Sequence, residues 1–323
     1  MVESSNQVKA IGGYFELELR KGIHYHRDAI RLNTARNCFE YVLLARKYSK
    51  VYIPYYTCEV MLQPLHKLGV SYEFYNINSE LEPLEIRRLL PNEAFLYTNY
   101  FGLKQKCVEK LATIYGTQLI VDNAQAFFSL RLDGIDTFYS ARKFFGVPDG
   151  AYLYTDCILD NDFGQDKSYG RMQHLLQRID EGAEVSYSIF RKNDDSLDCI
   201  SIKKISELTS RILESVDYES IKERRVANFL SLNKCLKSYN IFDIQLQDDI
   251  PMIYPFYTPD NTLKKRLIEN KIFVATYWPN VLNWCKEGML EYELASKVIA
   301  IPIDQRYDEE DMAYIIRQIK NEK

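Results

Sequence analysis

The feature that most constrains this chain is an alternation of short apolar runs with helical patterns, beginning near residue 51 and continuing to residue 154. Val51-Tyr52-Ile53-Pro54 reads as a strand, 59–68 as a helix, 70–75 as a strand and 84–90 as a short helix. A strand over 94–99, a helix over 107–115, a strand over 118–122 and strands over 136–140 and 151–154 complete the series. Strands separated by helices cannot pair through tight hairpins, so they form a parallel or mostly parallel sheet covered by helices on both faces. Ligands in such sheets bind beyond the carboxyl ends of the strands. Those ends fall at 55–58, 99–102, 122–125 and 140–143, and topology alone brings them together.

At 323 residues the chain exceeds what a single core comfortably serves. The expected organisation is a three-layer α/β large domain over 1–205, including an N-terminal arm, and a smaller α/β domain over 206–323. A hydrophobic share of 46%, a charged share of 27% and a formal net charge of -4 describe an ordinary globular protein and argue against a nucleic-acid binder. They leave room for an anionic ligand, which needs only local amides and a few donors. No apolar run approaches the roughly 20 residues of a membrane span, and the start MVESSNQVKA lacks the apolar stretch of a signal peptide, so a cytoplasmic protein without membrane attachment is expected. The seven cysteines form no C-x-x-C pair, and His24 and His26 have no partner at ligand spacing. Neither a disulfide framework nor a metal site is expected.

Outside the alternating core, Ile11-Gly12-Gly13-Tyr14-Phe15-Glu16-Leu17 and the polar stretch after it read as an arm over the main domain. Ala35, Cys38, Phe39, Val42 and Leu43 share one helical face, and Thr34 precedes them as the expected helix start. Thr34 can serve as an N-cap; the free amides behind it also attract phosphate. Residues 156–198 lose periodicity and read as a mobile or interface segment. Helical periodicity returns over 200–239, where Lys222-Glu223-Arg224-Arg225 reads as a solvated face. A strand over 252–257, a helix over 262–270, a strand over 272–276, a segment with Trp278 and Trp284, a strand over 298–302 and a helix after Asp308 follow.

Two residues carry the chemistry. Lys143 lies between a strand and a Gly/Pro turn, with Arg142, Phe144 and Phe145 beside it, as an amine that must hold an aldehyde needs burial and a fixed approach. Asp122 ends an apolar strand, where a carboxylate is costly unless something cationic meets it. It can cap the following helix; it also suits a protonated pyridine nitrogen, and the 21-residue separation from Lys143 on consecutive strands suits the two ends of one ring.

With these residues in view the sequence resembles the pyridoxal phosphate-dependent nucleotide-sugar aminotransferases of the DegT/StrS type, of fold type I. Residues 33–44 look like the family's helix start beneath the phosphate, and Ile53-Pro54-Tyr55-Tyr56-Thr57 looks like its P-x-x-T strand end. Val121-Asp122-Asn123-Ala124-Gln125-Ala126 is similar to its E-D-x-A-Q-A signature, and Ser140-Ala141-Arg142-Lys143 looks like its Schiff-base segment. Residues 222–229 with Ile301-Pro302-Ile303-Asp304 resemble its R-R-x-x-N helix and late strand. The resemblance implies that pyridoxal 5'-phosphate is held by Lys143, with Asp122 on the pyridine nitrogen, Gln125 near the ring hydroxyl, and Thr34, Ala35 and Ser140 at the phosphate. It implies an amino donor, a nucleotide-linked keto-sugar acceptor and a homodimer. Cys58 stands where many members place an aromatic over the ring, which leaves stacking to another group such as Tyr56, and no N-x-R-M substrate loop is visible over 164–206. The lysine at 143 separates the chain from the family's dehydratases, which carry histidine there. A non-catalytic protein of the same fold, regulatory or part of an assembly, is the alternative.

Overall fold

The link between residues 140 and 151 is too short for a crossover helix, and it alone reverses one strand of an otherwise parallel sheet. The computed structural model describes residues 11–321, so the leading residues that bear on a signal peptide lie outside it. In chain order the elements are β1 (Ile30–Leu32), α1 (Ala35–Arg46), β2 (Lys50–Pro54), α2 (Leu62–Leu68), β3 (Ser71–Tyr75), β4 (Glu93–Thr98), α3 (Gln105–Tyr115), β5 (Leu119–Asn123), β6 (Asp136–Ser140) and β7 (Ala151–Tyr154). Then come α4 (Gln173–Glu181), α5 (Ala183–Asp195), α6 (Glu207–Glu214), α7 (Tyr218–Leu236), β8 (Ile253–Tyr257), α8 (Leu263–Glu269), α9 (Val281–Trp284), α10 (Leu290–Lys297), β9 (Val298–Pro302) and α11 (Glu309–Lys320).

Seven strands form one sheet in the order β1-β7-β6-β5-β4-β2-β3. β2 to β6 pair in parallel, and only β7 runs against its neighbours. Every residue of β4, β5 and β6 is buried, as expected for strands covered on both faces. One face carries Tyr52, Phe95, Tyr97, Val121, Tyr139 and Tyr152; the other carries Val51, Ile53, Ala94, Leu96, Ile120 and Phe138 beneath α1 and α2. The chain steps outward from β2 to β3 and returns to the opposite side of β2 as β4, so the strand order switches between β2 and β4. A crevice belongs at that switch point. The α/β expectation and the mostly parallel sheet both hold.

Several local expectations do not. Residues 84–90 are not helical: Pro83 joins an isolated bridge to Ile77, Arg87 N donates to Tyr115 Oη and Leu90 N donates to the Glu93 carboxylate, so amides are satisfied outside a helix. Residues 272–276 are not a strand either; Ala275 makes one bridge to Ala300, and Ile272 N turns back to Leu267 O. The stretch 156–198 contains the helical hairpin α4–α5, and α10 fills a segment with no assigned structure. β1 adds a short antiparallel edge to β7 where only an arm was expected. That arm is fastened at His24, whose ring bonds Tyr152 Oη and Ser210 Oγ at 2.6 and 2.9 Å, and at His26, whose Nε2 donates to Phe127 O.

β8 and β9 pair antiparallel and pack against α7, α8 and α11 around Phe229, Tyr254, Leu267, Ile301 and Ile315. The charge run on α7 is only partly solvated. Arg225 is buried, stacks on the Phe144 ring, and donates to Met252 O and Gln305 Oε1 at 2.9 and 3.1 Å; burial pulls its pKa down to about 10. Asn228 ties the same helix to Ile303 O and Tyr307 O, and Gln305 Nε2 donates to Phe144 O. The R-R-x-x-N pattern thus joins the two sheets immediately behind Lys143. Arg225→Leu is expected to lower unfolding free energy by about 3 kcal/mol in a urea melt, because several buried acceptors lose charged donors; a change below 1 kcal/mol would mean the guanidinium is not needed there.

Candidate active site

The four strand ends converge as topology requires. β4 and β5 are in register through Thr98 and Asp122, and Asn99 N donates to Asp122 O at 3.0 Å. Asp122 itself is 5% exposed, and its carboxylate accepts from Ala124 N at 2.8 Å. Burial pushes its pKa up to about 6, opposed by the Ala124 amide and by the charge of Lys143. No cationic side chain forms an ion pair with Asp122 among the described residues, nor any carboxylate with Lys143. The helix-capping reading of Asp122 gains only the one amide, and α3 and the other long helices start elsewhere.

Gln125 Oε1 accepts from Phe101 N at 3.1 Å and so shapes the loop after β4, while its Nε2 is buried without a partner. Gly102 must be glycine in that loop: its φ is +73°, and a Cβ would stand 3.0 Å from Ile250 O. After β2, Thr57 Oγ1 is also buried and unpaired, and Thr57 O accepts from Asn280 Nδ2. Tyr56 is fully buried, edge-on to Trp278 and tilted against Tyr100, so its ring belongs to the core below the end of β2. Cys58 stands half-buried where it feels Lys143, Arg36 and Asp122; burial pushes its thiol pKa up against the pull of the cations.

Helix α1 is aligned with β6. Arg46, at its last turn, grips Asp136 at the start of β6 through two hydrogen bonds of 2.8 and 2.9 Å. The opposite end of the helix therefore lies at Ser140. There Gly150 N donates to Asn33 O at 2.7 Å, while Gly150 O accepts from Ala141 N. Thr34 Oγ1 caps α1 by accepting from Asn37 N and donating to Asn37 Oδ1. The N-cap role is realised, and the amides of Ala35 and Arg36 precede the first capped one.

Three contributors had no clear sequence signal. Tyr277 brings its ring to 5.5 Å from Lys143 Nζ and lies beside Phe101. Asn280 anchors the β2 loop. Asp194, at the end of α5, takes the guanidinium of Arg142 at 2.9 Å, so Arg142 turns away from the role of a neighbour to Lys143 alone. These residues come from segments with neither strand nor helix periodicity. Among the described residues no cluster of His, Cys, Asp and Glu is arranged to hold a metal, and no helix is long and apolar enough to cross a membrane.

No family profile and no curated relative matches the sequence. Solved structures do. A DegT DnrJ EryC1 StrS aminotransferase from Brucella abortus is 15% identical with a TM-score of 0.60, over 91% of this chain and 85% of that one. The fold is that of these sugar aminotransferases. DesI, solved in the presence of its TDP-sugar product, is 14% identical with a TM-score of 0.62, over 91% of this chain and 80% of its own. Spr1654 from Streptococcus pneumoniae, in its PLP form, is 12% identical with a TM-score of 0.63, over 91% and 86%. The aminotransferase fold survives such divergence because a buried pattern of apolar strands tolerates exchange of its members at constant volume and patterning.

Proposed function

We propose that the protein is a pyridoxal phosphate-dependent aminotransferase that moves an amino group from a glutamate-like donor to a nucleotide-linked keto-sugar in glycan or polysaccharide biosynthesis. One observation carries the reading: a buried carboxylate without a cation, Asp122, and an amine without a carboxylate, Lys143, which is exposed rather than buried as expected, lie within each other's field at adjacent strand ends. Such a pair fits a protonated ring nitrogen and an aldehyde at the two ends of one cofactor. The orphaned Gln125 Nε2 and Thr57 Oγ1 add donors of the kind its ring substituents accept.

When bound, pyridoxal phosphate supplies the electron sink for carbanion chemistry. Asp122 keeps a proton on the ring nitrogen. Lys143 Nζ takes the donor's α-proton and returns one to the acceptor carbon. Ser140 would offer its hydroxyl and Ala35 its helix N-terminal amide to the phosphate, while Thr34, whose hydroxyl is committed to Asn37, would hold the positive end of α1 behind them. Gln125, Cys58 and Tyr56 would help to hold the ring at the same strand ends. DesI, of the same fold and solved in the presence of its TDP-sugar product, supports a nucleotide-linked sugar.

Residues 1–205 form the cofactor-binding unit and 206–323 the smaller one in this reading, which also takes a homodimer as the working assembly and the cytoplasm as its place. The test is chemical: protein incubated with pyridoxal phosphate and reduced with borohydride should carry the cofactor on the peptide containing Lys143, and Lys143→Ala should carry none. An unmodified Lys143 peptide in the native chain removes the proposal. A loaded protein whose spectrum does not respond to glutamate would be a binder rather than a catalyst.

A further inference from the structure

The buried threonines divide by position. Thr34, Thr137, Thr209 and Thr258 all have their hydroxyls in hydrogen bonds. Thr57 and Thr98, both 1% exposed, have theirs without a partner, and they follow β2 and end β4, the two strands that flank the switch point. Valine at 98 would fill the same volume in a strand covered on both faces without burying an unpaired hydroxyl. An orphaned group at such a place calls for a partner that arrives later.

Thr98 and Asp122 are partners in the parallel ladder between β4 and β5. Each stands two residues beyond a core residue beneath α1 and α2, Leu96 and Ile120, so both side chains project to that face. Neighbouring strands lie about 4.8 Å apart, which brings a hydroxyl on one within reach of a carboxylate on the next.

The carboxylate has room for it. Asp122 Oδ1 accepts from Ala124 N at 2.8 Å, and burial pushes the pKa up to about 6 against that amide and the charge of Lys143. An anion that must keep a proton on a ring nitrogen is better served by a lower pKa, and each further donor lowers it. A carboxylate oxygen accepts two donors, so Oδ2 can take the ring N–H and a hydroxyl together.

We propose that Thr98 is a positioning residue whose hydroxyl donates to the Asp122 carboxylate and holds it, charged and oriented, against the ring nitrogen. This rests on the cofactor reading of Asp122 and Lys143. Thr98 acts only through Asp122.

The experiment uses pyridoxal phosphate labelled with nitrogen-15 in its ring, bound to the full chain, with the ring-nitrogen resonance followed against pH. The native chain should hold the ring proton to a pH about one unit higher than Thr98→Val does, the equivalent of one charged hydrogen bond. Thr98→Ser, which restores a hydroxyl, should recover the native profile. In Asp122→Asn the same valine should shift nothing further, because its effect runs through the carboxylate. In the cofactor-free protein Thr98→Val should raise the urea midpoint, since it removes an unpaired buried group. An unchanged nitrogen profile, a shift that persists undiminished beside Asp122→Asn, or a lowered midpoint overturns the role of Thr98. A purely structural hydroxyl would lower the midpoint and leave the profile alone. Borohydride trapping separates this claim from the cofactor reading. Cofactor trapped on Lys143 with an unmoved nitrogen profile ends the role of Thr98 alone, whereas a native chain that traps none ends both.

Discussion

Asparagine in place of Asp122 is expected to move two measurements in opposite directions. In the cofactor-free protein the carboxylate is buried against one amide, and its pKa rises to about 6. A folded pKa above the unfolded value means that the folded state holds its proton longer, so stability falls as pH climbs from 3.8 to about 6 and stays reduced above it. The cost reaches about 3 kcal/mol at pH 8. Asp122→Asn keeps an acceptor for Ala124 N and removes the charge, so the cofactor-free variant should be more stable than the native chain by roughly that amount at pH 8, and no more stable near pH 4. Transamination should nevertheless drop at least about a thousandfold, because the ring nitrogen loses the anion that keeps it protonated. Urea melts at the two pH values and a single-turnover assay read these effects. A variant that is both less stable at pH 8 and fully active would contradict the assignment of Asp122.

The second large effect is acid sensitivity at the anchors of the N-terminal arm. His24 and His26 are buried, and burial lowers both pKa values to about 4; Arg31 adds to the effect on His24, while Glu214, at 3.3 Å, faces it with the opposite sign. His26 is enclosed by Phe127, Tyr139, Tyr152 and Tyr154, with no carboxylate among them. Depressed histidine pKa values mean that the unfolded chain binds more protons between pH 6.5 and 4, so stability is present above that window and is lost on descending through it. Each ring contributes about 2 kcal/mol of loss by pH 5, and Asp122 returns about 1.4, which leaves the fold about 2.6 kcal/mol weaker at pH 5 than at pH 7. Urea midpoints should show that loss, and His26→Gln should flatten the dependence by about three quarters. Equal midpoints at the two pH values would show that the arm anchors titrate normally.

Much of this architecture was legible because it rests on short-range chemistry. The strands β2, β4, β5, β6 and β7 were readable from apolar runs, since a sheet covered on both faces admits few polar residues. Asp122 stood out because a carboxylate at the end of such a run must have a reason, whereas Gln125 and Ser140 were named only by the family resemblance. Thr34 was found because caps follow local rules. The helix assigned to 84–90 failed because its amides find Tyr115 and Glu93 instead, partners that spacing cannot reveal. The hairpin α4–α5 was missed because α4 buries only His174 and α5 only Ser186 and Asn193, leaving little apolar face to show in the pattern.

The sequence by itself determined the sheet, the placement of a lysine and an acid on adjacent strand ends, and the polarity of the helix behind them, because each follows from periodicity or from the cost of burying charge. Only the tertiary structure decided that Arg225 is buried behind Phe144, that Tyr277 reaches Lys143, and that Asp194 holds Arg142. Those contacts join residues far apart in the chain, and their energies depend on the burial and the neighbouring charges that the whole fold brings to each group, which no local pattern of residues encodes.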